Sequence, residues 1–181
     1  MRAPGPTLDT PRLILRPVAA EDFDALAAMN ADPQVMEHLG GPQPRSVAWR
    51  SFLSMAGAWT LQGFSMFSVI ERETGRWVGR IGPHRPEGWP GDEVGWALIR
   101  DAWGKGYAVE AASASMDFAV DVLGWSDIIH CIADENSPSQ RVAQRLGSSL
   151  RGVGRMPAPI DEDISLWGQS AAEWRARRAS L

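Results

Sequence analysis

The alternation of apolar and polar positions divides the chain into short segments of distinct period. "RLILRPV" (12–18) reads as a strand that ends where Pro17 removes a backbone donor. In "AEDFDALAAMNAD" the residues Phe23, Leu26, Ala27 and Asn30 fall at helical spacing, with acids in the first turn and Asn30 near the stop. After the loop "GGPQP" (40–44), Trp49, Phe52, Leu53 and Ala56 trace one face of a second helix, with Ser46 as its predicted N-cap. Residues 64–71 and 77–82 predict a hairpin turned by "ETGR", and "PHRPEGWPGD" (83–92), with three prolines, predicts irregular chain.

Downstream, "EVGWALI" (93–99) predicts a strand, and Gly104 to about Leu123 a long helix of small side chains. "SDIIHCIAD" (126–134) is nearly continuous apolar, as a central strand covered on both faces should be. Ser137, Pro138 and Gln140 predict an N-cap, first helical position and third position, and Gly147 after Leu146 predicts the left-handed stop. "SLRGVG" and "EDISLWG" predict two last strands, and Ser170 with Glu173 a capping box that opens a final short helix at "SAAEW". The order predicts one mixed α/β domain over residues 1–181, with no linker that would split it.

Composition narrows the function classes. A net charge of -4 across 181 residues argues against a protein whose task is gripping nucleic acid. The one basic run, "EWRARRASL", reads as a solvated terminal helix. The single cysteine, Cys131, excludes an internal disulfide and predicts a buried core thiol within its apolar run. The start "MRAPGPTLDT" has no apolar signal core, and no stretch approaches the ~20 apolar residues of a membrane span, so a cytoplasmic protein is expected. The nine tryptophans follow no period. His38, His84 and His130 are scattered, without the spacing of metal ligands, so no metal is expected.

The chemistry-bearing stretch is "WGKGYAVEA" (103–111), where a strand runs into a glycine-lysine-glycine turn and then a helix. A nucleotide-phosphate loop would need a hydroxyl after the lysine to hold magnesium, and Gly106 stands there. A dinucleotide fingerprint would need a third glycine, and Val109 stands there. What remains is general: Gly104 and Gly106 let backbone N–H groups approach an anion closely at the positive end of a helix. A purely steric turn accounts for the same residues.

Two further stretches decide the context. "RLILRPVAAEDFDALAAMNADPQVM" precedes "EVGWALIRDAWGKGYAVEA", and "ENSPSQRVAQRLG" follows it, in one order and spacing. Together they resemble the GCN5-related N-acetyltransferases, specifically the branch of ribosomal-protein N-terminal acetyltransferases of the RimJ/RimL type. The likeness runs from about Thr10 to Trp174. It implies a mixed, mostly antiparallel seven-stranded sheet flanked by about four helices, with two central strands splayed around the pantetheine arm of acetyl-CoA.

Carried onto this sequence, the resemblance implies that the backbone of Ala97, Leu98 and Ile99 pairs with pantetheine, and that an N–H near Ala97 polarises the thioester carbonyl. Gly104, Lys105, Gly106, Tyr107 and Ala108 would surround the pyrophosphate, and Asn136 would bond the pantetheine arm. Glu93 would be the base that neutralises the attacking amine, and Ser139 the proton donor to the departing sulfur. Read without the resemblance, Glu93 is a solvated residue at a strand start, Asn136 and Ser139 serve a helix start, and Lys105 is exposed.

Three positions depart from the family pattern: Asp101 where a Gln or Arg is usual, Arg100 where proline is frequent, and Ser148 where an aromatic commonly follows the helix-ending glycine. Arg100 could reach a phosphate in compensation, and Ser148 is expected to weaken packing. The expected reaction is direct attack by a primary amine, of a small molecule or a protein N-terminus, in a ternary complex. The acceptor pocket would come from residues 33–46, 83–92 and 155–163. His84 and Glu87 either border it or are exposed in their loop, and the acids of "PIDEDI" (159–164) either receive a cationic acceptor or form a solvated turn. The alternative is a coenzyme A-binding sensor without turnover. A monomer and a homodimer are both compatible with the sequence.

Overall fold

Why the central sheet opens where it does follows from which strands find partners. The computed structural model describes residues 3–179, so Met1 and Arg2 of the N-terminal stretch and Ser180 and Leu181 of the basic run lie outside the described residues. In chain order come β1 (Leu8–Asp9), β2 (Leu13–Arg16), α1 (Phe23–Ala31), α2 (Pro33–Met36), α3 (Arg45–Leu61), β3 (Phe67–Glu71) and β4 (Trp77–His84). Then follow β5 (Glu93–Leu98), α4 (Tyr107–Asp121), β6 (Asp127–Ile132), α5 (Ser137–Leu146), β7 (Ser149–Arg155), β8 (Asp163–Ser170) and α6 (Ala171–Arg178).

The strands form one sheet of eight in the order β1-β2-β3-β4-β5-β6-β8-β7, against the seven expected. All neighbours are antiparallel except β5 and β6. The additional strand is β1, two residues paired to β2, too short to leave a period in the sequence. The short helix α2, capped by Asp32 with Pro33 in its first turn, escaped the pattern for the same reason.

Two apolar clusters cover the sheet. On one face Val78, Ile81, Val94 and Leu98 pack with α4 residues Ala111, Ala112 and Met116 and with Trp174 of α6. On the other face Met66, Ile70 and Ala97 pack with Leu26 and Met29 of α1 and Phe52 and Met55 of α3. The buried stripe of α3 is Ala48, Phe52, Met55 and Trp59, so Trp49 and Leu53, placed on the inner face by the sequence, are half exposed instead. Trp49 still meets Phe23 edge-on and stacks on Phe52, which widens the apolar stripe outward. Ser46 is not the N-cap of α3. The helix begins at Arg45 after Pro44, and no side chain caps it.

The start of α5 is also one residue earlier than predicted. Asn136 is the N-cap, accepting the Ser139 N–H at 3.1 Å, and Ser137 opens the helix. Its end is as read: Gly147 adopts φ +91° and closes the last turn. The capping box of α6 is formed by Ser170 and Glu173.

Candidate active site

The site is built where β5 parts from β6. The parallel pair is registered only at Glu93 and Ile129, with the Ile129 N–H donating to the Asp92 carbonyl at 2.9 Å. A continuous parallel ladder would next join the Cys131 N–H to the Val94 carbonyl. Here each of those groups takes a side chain instead. The Cys131 N–H donates to Glu93 Oε1 at 3.0 Å, and the Val94 carbonyl accepts His130 Nδ1–H at 2.7 Å. Beyond that point the strands have no shared rung.

Which β5 groups face the opening follows from alternation along the strand. The Val94 carbonyl points toward β6, and the Ile99 N–H points the other way, to the Val78 carbonyl. Trp96 and Leu98 therefore turn their backbone toward the gap, while Ala97 and Ile99 turn theirs toward β4. Of the three residues expected to line the gap with backbone groups, only Leu98 does so, and Trp96 joins it. The Leu98 carbonyl is taken by the Trp103 indole N–H at 2.9 Å, which leaves its N–H and both Trp96 groups without a strand partner.

The two predicted proton-handling residues flank this strand on opposite faces. Glu93 projects with Gly95 and Ala97 toward α1 and α3; Trp96 projects toward α4 and α5. Glu93 is buried, accepting the Trp89 indole N–H at 2.6 Å and the Cys131 N–H. Burial pushes its pKa up to about 7, against the pull of those two donors and of Arg80. Glu93 is thus neither solvated nor fixed in one ionisation state near neutral pH. On the other face Ser139 Oγ accepts the Trp96 indole N–H at 3.2 Å, so its own proton is available to donate.

The remaining titratable neighbours are silent. His84 lies at the end of β4, opposite Glu93, rather than in an exposed loop, and its ring meets Trp89 edge-on at 4.7 Å. Burial, aided by Arg80, lowers its pKa to about 4. Burial likewise lowers His130 to about 4, so its neutral ring donates to Val94 and accepts from Ser148 Oγ at 2.9 Å. Ser148 in turn accepts the Gln169 amide at 2.9 Å, so this departure from the family pattern holds a buried polar chain rather than leaving a packing gap. Cys131 is only half-buried, and burial still raises its thiol pKa.

The glycine turn has the geometry its sequence requires. Gly104 and Gly106 have φ of +73° and +80°, and Gly106 is the N-cap of α4. Glycine brings no capping side chain, so the first-turn N–H groups of Tyr107, Ala108 and Val109 have no intrahelical acceptor. Arg12, which sequence reasoning missed, fixes the turn: it donates to the Lys105 carbonyl at 2.8 Å and pairs with Glu110 at 2.6 Å. The Lys105 ammonium lies 3.7 Å from Glu71, and the Tyr107 hydroxyl donates to the same carboxylate at 2.8 Å, so only the backbone of these two residues serves the turn. Arg100 does not reach toward it; Asp32 and Gln34 hold its guanidinium.

Of the loops expected to shape an acceptor pocket, residues 85–89 with Gln62 line an open hollow of about 290 Å³, and Trp89 connects it to Glu93. Glu87 is exposed on its rim. A second hollow of about 430 Å³ lies between the end of α1, Pro33, Gln34 and Arg100. The acids of 159–164 are drawn into a turn, with Arg155 on Asp161 and Asp163, which favours the solvated-turn reading. Among the described residues no group of acids, histidines and cysteine could hold a metal ion, and no helix is long and apolar enough to cross a membrane.

Residues 12–149 match the family model described as an acetyltransferase (GNAT) domain. The chain belongs to the GNAT acetyltransferase family. The uncharacterized N-acetyltransferase p20 of Bacillus licheniformis is 32% identical over 152 residues, covering 82% of this chain and 85% of that protein. An acetyltransferase from Agrobacterium tumefaciens str. C58 superposes with a TM-score of 0.82 at 32% identity, over 93% of this chain and 96% of its own. The ribosomal-protein-S5-alanine acetyltransferase of Vibrio fischeri shares the fold alone, with a TM-score of 0.70 at 16% identity over 93% and 98% of the two chains. The chain is accordingly a GNAT N-acetyltransferase, of a family whose members use acetyl-CoA.

Proposed function

We propose that this GNAT domain transfers acetyl from acetyl-CoA to a primary amine by direct attack, with Glu93 as base and Ser139 as proton donor. The observation that carries this reading is the opening of β5 from β6 after one rung, with a carboxyl of raised pKa at its head. The residues present fit the coenzyme. The unpartnered backbone groups of Trp96 and Leu98 suit an extended amide-bearing arm, and the uncapped N–H groups of 107–109 behind two left-handed glycines suit a pyrophosphate. Asn136 holds the Ser139 N–H through its Oδ1 and offers its side-chain NH2 to the pantetheine arm. Acetyl-CoA supplies the activated acyl group.

Each residue's part follows from its surroundings. Glu93, held by Trp89 and Cys131, is half-ionised near neutral pH and takes the proton of the incoming amine. Ser139, on the opposite face, has accepted one N–H and donates its own proton as the leaving group departs. The N–H of Trp96 or Leu98 is aimed where negative charge develops. Whether the acceptor is a small amine or a protein N-terminus, as in the RimJ/RimL branch, is set by the hollows beside Glu93 and Arg100.

The test is calorimetric titration with acetyl-CoA, followed by thiol release against a panel of amines and N-terminal peptides. Binding with thiol release is expected. A protein that does not bind acetyl-CoA, or that binds it and releases no thiol with any amine, overturns the reading.

A further inference from the structure

Among the described residues, Arg80 of the site has no carboxylate within ion-pair distance. It stands on β4 opposite Ala97, on the face that also carries Glu93. Among the described residues the sulfur of Met66 is its only hydrogen-bond partner, 2.8 Å from Nη1. At the far end of the sheet Arg16 shows the usual alternative, gripped by both oxygens of Asp22 at 2.7 Å. Arg80 is half-buried, and among the described residues its other donors have no hydrogen-bond partner. Burial lowers its pKa while Glu93 raises it, yet an arginine stays charged.

Apart from the field of Glu93, the described neighbours offer no direct partner for it. His84, on the same face, is neutral at physiological pH, and Trp89 spends its N–H on Glu93. The helices behind this face contribute apolar residues, Phe52 and Met55 among them. Met66 joins the two charged groups, its sulfur against Arg80 and its methyl reaching over Gly95 beside Glu93 Oε1. A cationic fork and a carboxylate base thus share one face of the β4–β5 pair.

We propose that Arg80 binds the carboxylate of the acceptor, which is a small amino acid whose amine is delivered to Glu93. A planar guanidinium with free parallel donors matches a carboxylate in bidentate fashion, and pairing removes the cost of holding that charge half-buried and alone. The amine of a zwitterion so held lies on the side of the base. A protein N-terminus offers an amide where the free amino acid has its carboxylate, and Arg80 gains nothing from it. The proposal rests on the acetyl-transfer reading above.

The experiment compares free amino acids (glycine, alanine, β-alanine, glutamate) with their carboxamides and with amidated peptides, by thiol release from acetyl-CoA. The best free acid is expected to exceed its amide in kcat/KM by about 10- to 100-fold. Arg80→Gln should remove that ratio, and Arg80→Lys should restore part of it. Taking the ratio within each variant cancels any effect of Arg80 on Glu93, and retained acetyl-CoA binding certifies the fold. Calorimetric titration of the same acids into the protein saturated with coenzyme A gives a readout without turnover. Acids bound by the wild type and lost in Arg80→Gln support the carboxylate role even if no thiol is released, a result that would overturn only the acetyl-transfer reading. Amides used as well as acids, a ratio unchanged in Arg80→Gln, or no acid bound or acetylated at all would overturn the amino-acid acceptor.

Discussion

On its β4 side, β5 is paired at every residue from Glu93 to Leu98; on its β6 side it is paired at Glu93 alone. The same six residues therefore serve as scaffold along one edge and as site along the other. Side chains make the difference at the branching point, where Glu93 and His130 occupy the two backbone groups that a closed ladder would have joined. A sheet can thus part without leaving the backbone groups at the branching point unpaired. The carboxylate that does so on one side of the gap is also the group with the raised pKa.

The sharpest way to break this comparison is to change Glu93 itself. Glu93→Gln should lower kcat/KM by about 100-fold or more near neutral pH. The wild-type rate should rise with pH through an ionisation near 7, and that acid limb should vanish in the variant. Stability should move the opposite way. The folded pKa lies above the ordinary value of 4.5, so folding favours the protonated form. That contribution is complete below pH 4.5 and is lost as pH rises through about 7. The loss amounts to about 3 kcal/mol at most, from the size of the shift. Thermal melts of wild type and Glu93→Gln between pH 5 and 8 should diverge accordingly.

His130→Ala attacks the other stopper. It leaves the Val94 carbonyl without its donor and the Ser148 hydroxyl proton without its acceptor, and it empties a buried ring site, which should cost about 3 kcal/mol and lower Tm by roughly 10 °C. An unchanged Tm would mean that the opening needs no such support. Ser139→Ala is milder, a fall in kcat of about 10-fold with little change in acetyl-CoA affinity, read from saturation kinetics beside calorimetry. Lys105→Ala should have the smallest effect, under about 1 kcal/mol on acetyl-CoA binding, because its ammonium is spent on Glu71 and the turn works through its backbone.

Where local chemistry determined structure, the sequence was legible. Gly147 ends its helix and Ser170 with Glu173 opens another, because each signal lies within four residues of what it controls. The glycine turn was readable for the same reason. Ser137 was misread as a cap because Asn136 beside it competes for the same role, and the side chain that reaches the Ser139 N–H wins. The α3 stripe was displaced because Trp49 and Leu53 are apolar yet lie on the solvent side, where Phe23 meets Trp49 edge-on. Trp96 was missed in favour of Ala97 and Ile99 because the direction of a backbone group depends on a neighbouring strand distant in sequence. Arg80 carried no signal at all, since an arginine in a strand becomes informative only when its partners are seen to be missing.

The open edge of β5 is bounded at both ends, by His130 and Glu93 where the strands part and by the Trp103 indole on the Leu98 carbonyl at the other. Between them β5 advances by about 3.3 Å per residue, so its length is a gauge measured in whole residues. One residue inserted there would displace the glycine turn by that step relative to Glu93 and exchange the inward and outward sets of amides. Residues 33–46 and 83–92 carry no such metric. On the acetyl-transfer reading proposed above, loop changes would alter the molecule modified, while the reach of the donor would stay calibrated by a strand that accepts substitution but not insertion.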